Sequence, residues 1–551
     1  TMRSLPFFCI VLVIVSVCHL SAGATPPALP LFGDQVVKRE IGVEGVSTLI
    51  EESPARVRKT PVEIAQKMLQ KKTTYADAMH NVVDFIPKHV ATLHPNGGEV
   101  SWKGRCFASY SASVETSHDG SEWAITVKND HSSSLLCSDL FLFATVESWH
   151  VEDYFLHGTH HITWKGHGND SVLDVGQYGI RVFVVDESIK EVLADLFDVA
   201  KLFFPEYDGK WHPAVPDFVA EANVEFLKDE VNMTMQKRDD VVIELDESEI
   251  RSGDFFGIIR LDGLDPLLAF GMGSALGHSV VAMWINGTLY VCESQVKSSY
   301  WPANGIQRTP YKQWLQQAHA ADYNVVFLPL SEEMRAKFDE QAAVDFFVNT
   351  AEGLDYGFHN LLFTWIDTVQ DNYPPPLSWQ LVQTGFAIFD TISPSLADLV
   401  WNDALNMRLG TKGLNTAQAT IEAEKRGINF TSLLAMPEQD DWVYENGPNM
   451  VCDVFVVRIF KEAGLFGGIA SEVQATEFTV WDLYALQFFE TYESKPRPKE
   501  CQVLDPSLPY CQLMGKYRVE LGDTYNSIAP YPHMKEKCPS LPPHYYRPPK
   551  C

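Results

Sequence analysis

At 551 residues, with 46% hydrophobic and 21% charged residues, the chain has room for roughly two to four domains and is too apolar to be disordered throughout. Its net charge of −29 excludes nucleic acid and anionic bilayers as main partners, because a surface this acidic repels both.

The first residues read as a leader. Met2 and Arg3 precede the apolar run LPFFCIVLVIVSVCHL, and small residues follow at Ala22 and Ala24. This is the pattern of a secretory signal peptide cleaved after Ala24, and the run falls short of the roughly 20 residues a membrane-spanning helix needs. Four Asn-x-Ser/Thr tripeptides, at Asn169, Asn232, Asn286 and Asn429, agree with an N-glycosylated protein of the secreted or endolysosomal lumen, without a transmembrane anchor.

Residues 25–33, TPPALPLFG, are Pro-rich, and helical spacing runs from 40 to about 90, as in TPVEIAQKMLQKK. From 98 to 185 the pattern becomes β-like: RCFASYSASVET, EWAITVKN and GIRVFVVD alternate with period 2. A helix is predicted over 187–203, then Pro-containing loops and the acidic ELDESE lead to a boundary near 240–250. The next unit opens with SGDFFGIIRLDG, a turn into a strand, and continues through the Gly-rich GMGSALG into the hairpin HSVVAMWINGTLYVCES. Its Asn286-Gly287 turn is a strong hairpin signal. A strand at YNVVFLPL, a helix over 332–352, a long insertion at 360–425, a helix from Cys452 and another near 478–492 follow. The Pro- and Cys-rich tail reads as a loop-rich wrap. The division is therefore a signal peptide at 1–24, a mixed α/β N-terminal domain at 25–245, a second domain at 250–495 carrying the insertion, and a tail at 496–551.

Ten cysteines less Cys9 and Cys18 of the leader leave eight. Cys106 and Cys137 flank a strand-rich stretch and can pair, and Cys501, Cys511, Cys538 and Cys551 can form two bridges in the tail. Cys292 and Cys452 remain. Either they form a fourth disulfide or at least one is a thiol kept for chemistry.

Cys452 stands where the turn GPNM gives way to the amphipathic DVFVVRIFKEA, with Val454, Val457 and Phe460 on one stripe. A helix N-terminus and a nearby imidazolium are the two features that lower a thiol's pKa. Asp453, next in the chain, adds a negative charge close to the sulfur. His278 begins the strand HSVVAMWI and is the candidate base. Glu293, an acid within the apolar return strand LYVCES, is costly to bury unpartnered, and His278 on the adjacent strand is its natural partner. A nucleophile, a base and an orienting group suit acyl transfer.

A "GD" strand, a Gly-rich approach to GHSVV, a return strand ending in CES and a distant cysteine opening a helix that ends in KEAG together resemble the permuted papain-like amidase family. That family includes the lecithin–retinol acyltransferase-like proteins. The histidine strand precedes the cysteine helix here, as in the permuted members, and GLDYGF (353–358) resembles the family's segment between the two motifs. The resemblance spans roughly 250–466. It implies an α+β fold there, a permuted papain-like domain with an antiparallel sheet plus helices; the pattern ahead of it, not the resemblance, places a mixed β-rich N-terminal domain before it. The resemblance also implies a cysteine-dependent acyl hydrolase of amidase or peptidase type, with Cys452 as nucleophile, His278 as base, Glu293 as orienting group and Tyr356 at the substrate, an amide- or ester-containing peptide or lipid. Two other readings stay open: a catalytically silent binding or structural glycoprotein with Cys452 bonded to Cys292, and a lipid acyltransferase or phospholipase. No cofactor or metal is expected. The His-rich stretch from His150 to His167 lacks a helical HExxH or paired CxxC, and GMGSALG lacks the GK[ST] ending of a phosphate loop.

Overall fold

The computed structural model describes residues 87–534 apart from 131–136, 167, 186–213, 232, 298–299, 302, 360, 364–377, 435, 445–446, 494–495 and 524. The predicted signal peptide and Pro-rich leader, the helical spacing over 40–86, the 187–203 helix, Asn232, His167, Cys538 and Cys551 lie outside the described residues.

The N-terminal unit is built from two antiparallel four-stranded sheets. Strands β1 (Lys88–Leu93), β5 (Asp139–Ala144), β6 (Trp149–Tyr154) and β8 (Ile180–Val185) form one, in the order β1-β8-β5-β6. Strands β2 (Val100–Trp102), β3 (Tyr110–Thr116), β4 (Glu122–Asn129) and β7 (Gly158–Lys165) form the other, in the order β2-β3-β4-β7. Their facing residues, Trp102, Tyr110, Trp123, Phe141 and Val182 among them, share one core. Strands form over much of 98–185, and burial alternates along β3 and β4. β8, read as half-buried, is instead buried on both faces, and helix Asn169–Tyr178 interrupts the stretch. The helical spacing read up to residue 90 gives way to β1. The Cys106–Cys137 disulfide closes the β3–β5 corner, and the buried Asp139 carboxylate beside it accepts the N–H groups of Arg105, Cys106 and Phe107 and the Tyr110 hydroxyl. Of the His-rich stretch, His150 lies on β6, His157 in the following loop, and His160 and His161 on β7, in the other sheet.

The second unit holds a six-stranded antiparallel sheet: β9 (Phe255–Arg260), β10 (His278–Ile285), β11 (Thr288–Gln295), β12 (Gly305–Pro310), β13 (Tyr323–Leu328) and β14 (Cys511–Met514). The order is β12-β11-β10-β9-β13-β14. The β10–β11 hairpin turns at Asn286 (φ 52°) and Gly287 (φ 78°), the left-handed pair that matches the twist of the strands. One face, with Phe255, Ile259, Val281 and Cys292, packs on helix Cys452–Glu462 and its neighbours. The opposite face, with Phe256, Ile258, Val280 and Val291, packs on Trp314 and Leu315. The tail does more than wrap: it supplies β14 as an edge strand and fastens it with the Cys501–Cys511 disulfide.

Several helices were not foreseen, among them Asn169–Tyr178 inside the stretch read as β-like and Tyr311–Ala320 ahead of the YNVVFLPL strand. Asp217–Val231, in a region read as loops, follows Pro216, and Leu264–Met272 occupies the approach read as irregular. Within the insertion, helices Trp379–Ile392, Asp403–Leu409 and Thr416–Lys425 surround Trp401, whose ring stacks 3.9 Å from that of Phe386. The outer side of this bundle meets the N-terminal unit: Leu381 packs on Leu142, Ala144 and Phe183, and buried Glu424 faces the Asp174–Arg181 ion pair. Among the described residues no helix is long and apolar enough to cross a membrane. The architecture is α+β, with antiparallel sheets and helices.

Candidate active site

His278 opens β10, and a close backbone approach delivers it. Gly277 donates its N–H to the Ile258 carbonyl, and a β-carbon on Gly277 would come within 2.7 Å of Asp265, so only glycine fits. His278 itself pairs with Ile258 of β9. The β10–β11 register sets Val281 opposite Cys292; extended by one residue it sets Glu293 opposite Val280. Glu293 therefore reaches His278 along the diagonal of the ladder instead of directly across it. The bond forms all the same: His278 Nε2 lies 3.0 Å from Glu293 Oε2. The other carboxylate oxygen accepts the Trp314 indole N–H at 3.1 Å. Glu293 is fully buried, so these two donors replace the water it has lost.

Cys452 is the first residue of helix Cys452–Glu462. The turn before it is extended (Val451 φ −74°, ψ 174°), and the following residues Val454, Phe455, Val457 and Phe460 are all buried. Burying apolar side chains of this size gives about 1.5–3 kcal/mol each, ample to seat an 11-residue helix rigidly. Asp453 in the first turn and Lys461 in the last match the macrodipole. Three contacts pin the turn. Ser294 Oγ donates to the Met450 carbonyl at 2.6 Å, the Gly357 N–H donates to the same oxygen at 3.1 Å, and Tyr356 forms an isolated parallel bridge with Met450.

The two halves meet at His278. Its Nε2 is engaged by Glu293, and the Cys452 side chain lies close enough to raise its pKa, with Nδ1 the nitrogen that Glu293 leaves open. Burial works against a charged imidazole here, but the hydrogen bonds and charges of Cys452 and Glu293 outweigh it and push His278 up to about 10. The imidazole therefore keeps its proton across the neutral range. Two more carboxyls add to the field. Burial pushes Asp453 up to about 7, against its hydrogen bond from the Val454 N–H, and Asp482 adds to the rise. Asp265 is raised by burial and by Asp262, with His278 opposing.

Cys292, the other unpaired cysteine, is fully buried with its thiol pushed well up by burial. Cys292 and Cys452 both carry free thiols, so the bridge between them weighed from the sequence is not formed. The Tyr356 ring is buried against Phe358, at 4.9 Å between centroids, and its backbone serves the Cys452 turn. Asn169, Asn286 and Asn429 are exposed. Trp314 and Ser294 escaped the sequence reading. Trp314 lies on helix Tyr311–Ala320, and only the fold brings it to Glu293; Ser294 was adjacent to a residue already singled out, yet nothing local marks the carbonyl it holds.

No protein-family model matches this chain, and no curated protein or solved structure does so either.

Proposed function

We propose that this protein is a cysteine-dependent acyl hydrolase of the permuted papain-like type, with Cys452 as nucleophile, His278 as proton carrier and Glu293 as the group that orients it. One observation carries the reading: a buried histidine is hydrogen-bonded to a buried carboxylate and has beside it, close enough to raise its pKa, a cysteine at a helix N-terminus. The strand-before-helix order and the sheet-on-helix packing support the permuted papain-like assignment.

In the mechanism this implies, the Cys452 sulfur gives its electron pair to the acyl carbon, and the carbonyl π electrons move to oxygen. The N–H of the first helical residue has no intrahelical acceptor and stands beside the sulfur as an oxyanion donor. Collapse of the tetrahedral species expels the amine or alcohol, which takes the His278 proton, and leaves a thioester on Cys452. Water then attacks the thioester, gives a proton to His278 and releases the acid and the thiolate. Glu293, held by Trp314, keeps Nε2–H on its own side so that Nδ1 serves the sulfur. Amides, thioesters and lipid esters all suit this chemistry. A lumenal or secreted setting, with glycans on exposed Asn169, Asn286 and Asn429, fits the disulfides at Cys106–Cys137 and Cys501–Cys511.

The test is iodoacetamide labelling of the folded protein across pH 4–9, mapped by peptide mass. Cys452 is expected to react faster than an ordinary thiol and to lose this reactivity in His278→Ala. Labelling that tracks a plain thiol in both proteins would retire the enzyme reading.

A further inference from the structure

We infer that Ser294 is a positioning residue for the Cys452–His278 pair, acting by holding the Met450 carbonyl; this rests on the function proposed above. Successive residues of a strand point to opposite faces. On β11 that alternation divides two tasks between neighbours: Glu293 turns toward His278 and Trp314, while Ser294 turns toward the loop that precedes Cys452. One dipeptide of one strand thus fixes the base from one side and the nucleophile's turn from the other. A change in the relative height of the imidazole and the sulfur would have to bend β11 itself.

The serine is fully buried and its hydroxyl bond is short, at 2.6 Å. The Met450 carbonyl keeps a second donor, the Gly357 N–H, so removing the hydroxyl loosens the turn without stranding a buried acceptor. Such a site is suited to separating position from stability. Ser279, adjacent to His278 on β10, supplies a matched control: it is also fully buried, but its hydroxyl has no hydrogen-bond partner among the described residues.

The experiment measures the rate and pH profile of Cys452 alkylation by iodoacetamide, with melting temperature alongside, in wild type, Ser294→Ala, Ser294→Thr and Ser279→Ala. Ser294→Ala is expected to slow alkylation by about tenfold, the equivalent of one modest hydrogen bond, and to shift the profile toward that of an ordinary thiol. Ser294→Thr, which keeps the hydroxyl on a residue favoured in strands, is expected to restore the profile, and Ser279→Ala to keep it. A wild type with an activated Cys452 and a Ser294→Ala profile identical to that of Ser279→Ala would overturn the inference alone. A wild-type Cys452 no more reactive than a plain thiol would overturn the proposed function and this inference with it.

Discussion

Replacing Glu293 by Gln removes one charge from the site while keeping its shape. The carboxylate is fully buried and takes hydrogen bonds from His278 Nε2 at 3.0 Å and Trp314 Nε1 at 3.1 Å. With its amide oxygen toward His278, Gln keeps an acceptor there and turns its NH2 to the Trp314 N–H, losing that bond; for the imidazole the loss is the difference between a charged and a neutral partner. Hydrogen bonds to charged groups are worth about 1.5–3 kcal/mol and neutral ones about 1 kcal/mol. The difference, about 0.5–2 kcal/mol, corresponds to roughly one unit of imidazole pKa. His278, opposed by burial and held at about 10 by Cys452 and Glu293, should therefore release its proton roughly one unit earlier in Glu293→Gln. Iodoacetate is the reagent for this measurement, because its carboxylate is drawn by the imidazolium and its reaction with Cys452 slows when that charge is lost. The alkaline limb of the alkylation profile should fall near pH 10 in wild type and about one unit lower in the variant. An alkaline limb that stays in place, in a variant with native near-ultraviolet circular dichroism, would refute the assignment of Glu293 as the group that holds the His278 proton.

Asp453→Asn is expected to stabilise the protein at pH 8 by on the order of 1–3 kcal/mol and to change little at pH 4, measured by urea unfolding. The sign follows from a folded pKa of about 7, raised by burial above the unfolded value: the carboxyl costs nothing while protonated in both states, and stability is lost as pH rises through 7. Glu424→Gln should behave alike. Burial and Asp174 raise Glu424, Asp170 adds to the rise, Arg181 opposes it, and neither Glu424 oxygen has a donor among the described residues. Its substitution is expected to leave stability unchanged near pH 5 and to raise it at pH 9, with the gain at the contact between the insertion and the N-terminal unit, readable by amide exchange. Substituting Cys501 and Cys511 by Ser opens a bridge spanning 10 residues and should cost about 2–3 kcal/mol, seen as a lower urea midpoint.

The parts of the site legible in the sequence were those with local signatures. The Asn286-Gly287 turn between two apolar runs located the hairpin, and a Gly/Pro turn before an apolar stripe located the start of the Cys452 helix. The His278–Glu293 contact followed from the cost of burying an unpartnered acid, although the ladder register makes it diagonal. Trp314 and Ser294 were hidden because their partners are fixed by tertiary packing: an indole N–H 21 residues from its carboxylate and a hydroxyl 156 residues from its carbonyl leave no period to read. The fold was misread where patterns were weak. Asp217–Val231 mixes acids with apolar residues and carries little amphipathic contrast, and the four residues of β14 lie in a Pro- and Cys-rich stretch whose composition suggests loops.

The late arrival of β14 has a consequence for how the protein is made. Every residue of β13 is buried, and its outer edge is covered by residues 511–514, near the far end of the chain. While synthesis proceeds from β13 to β14, an apolar strand offers unpaired backbone groups to any neighbouring chain, the condition under which edges pair wrongly. Its proper partner is distant in sequence, and contacts of high sequence separation form slowly. Shortening the chain before residue 511 would then do more than trim a wrap, because it would leave that edge open for good and send the product toward aggregation. Oxidation of Cys501 with Cys511 preorganises the segment that closes it, so the chain's yield in a given compartment should depend on thiol oxidation as an assembly step, quite apart from what the bond adds to the finished fold.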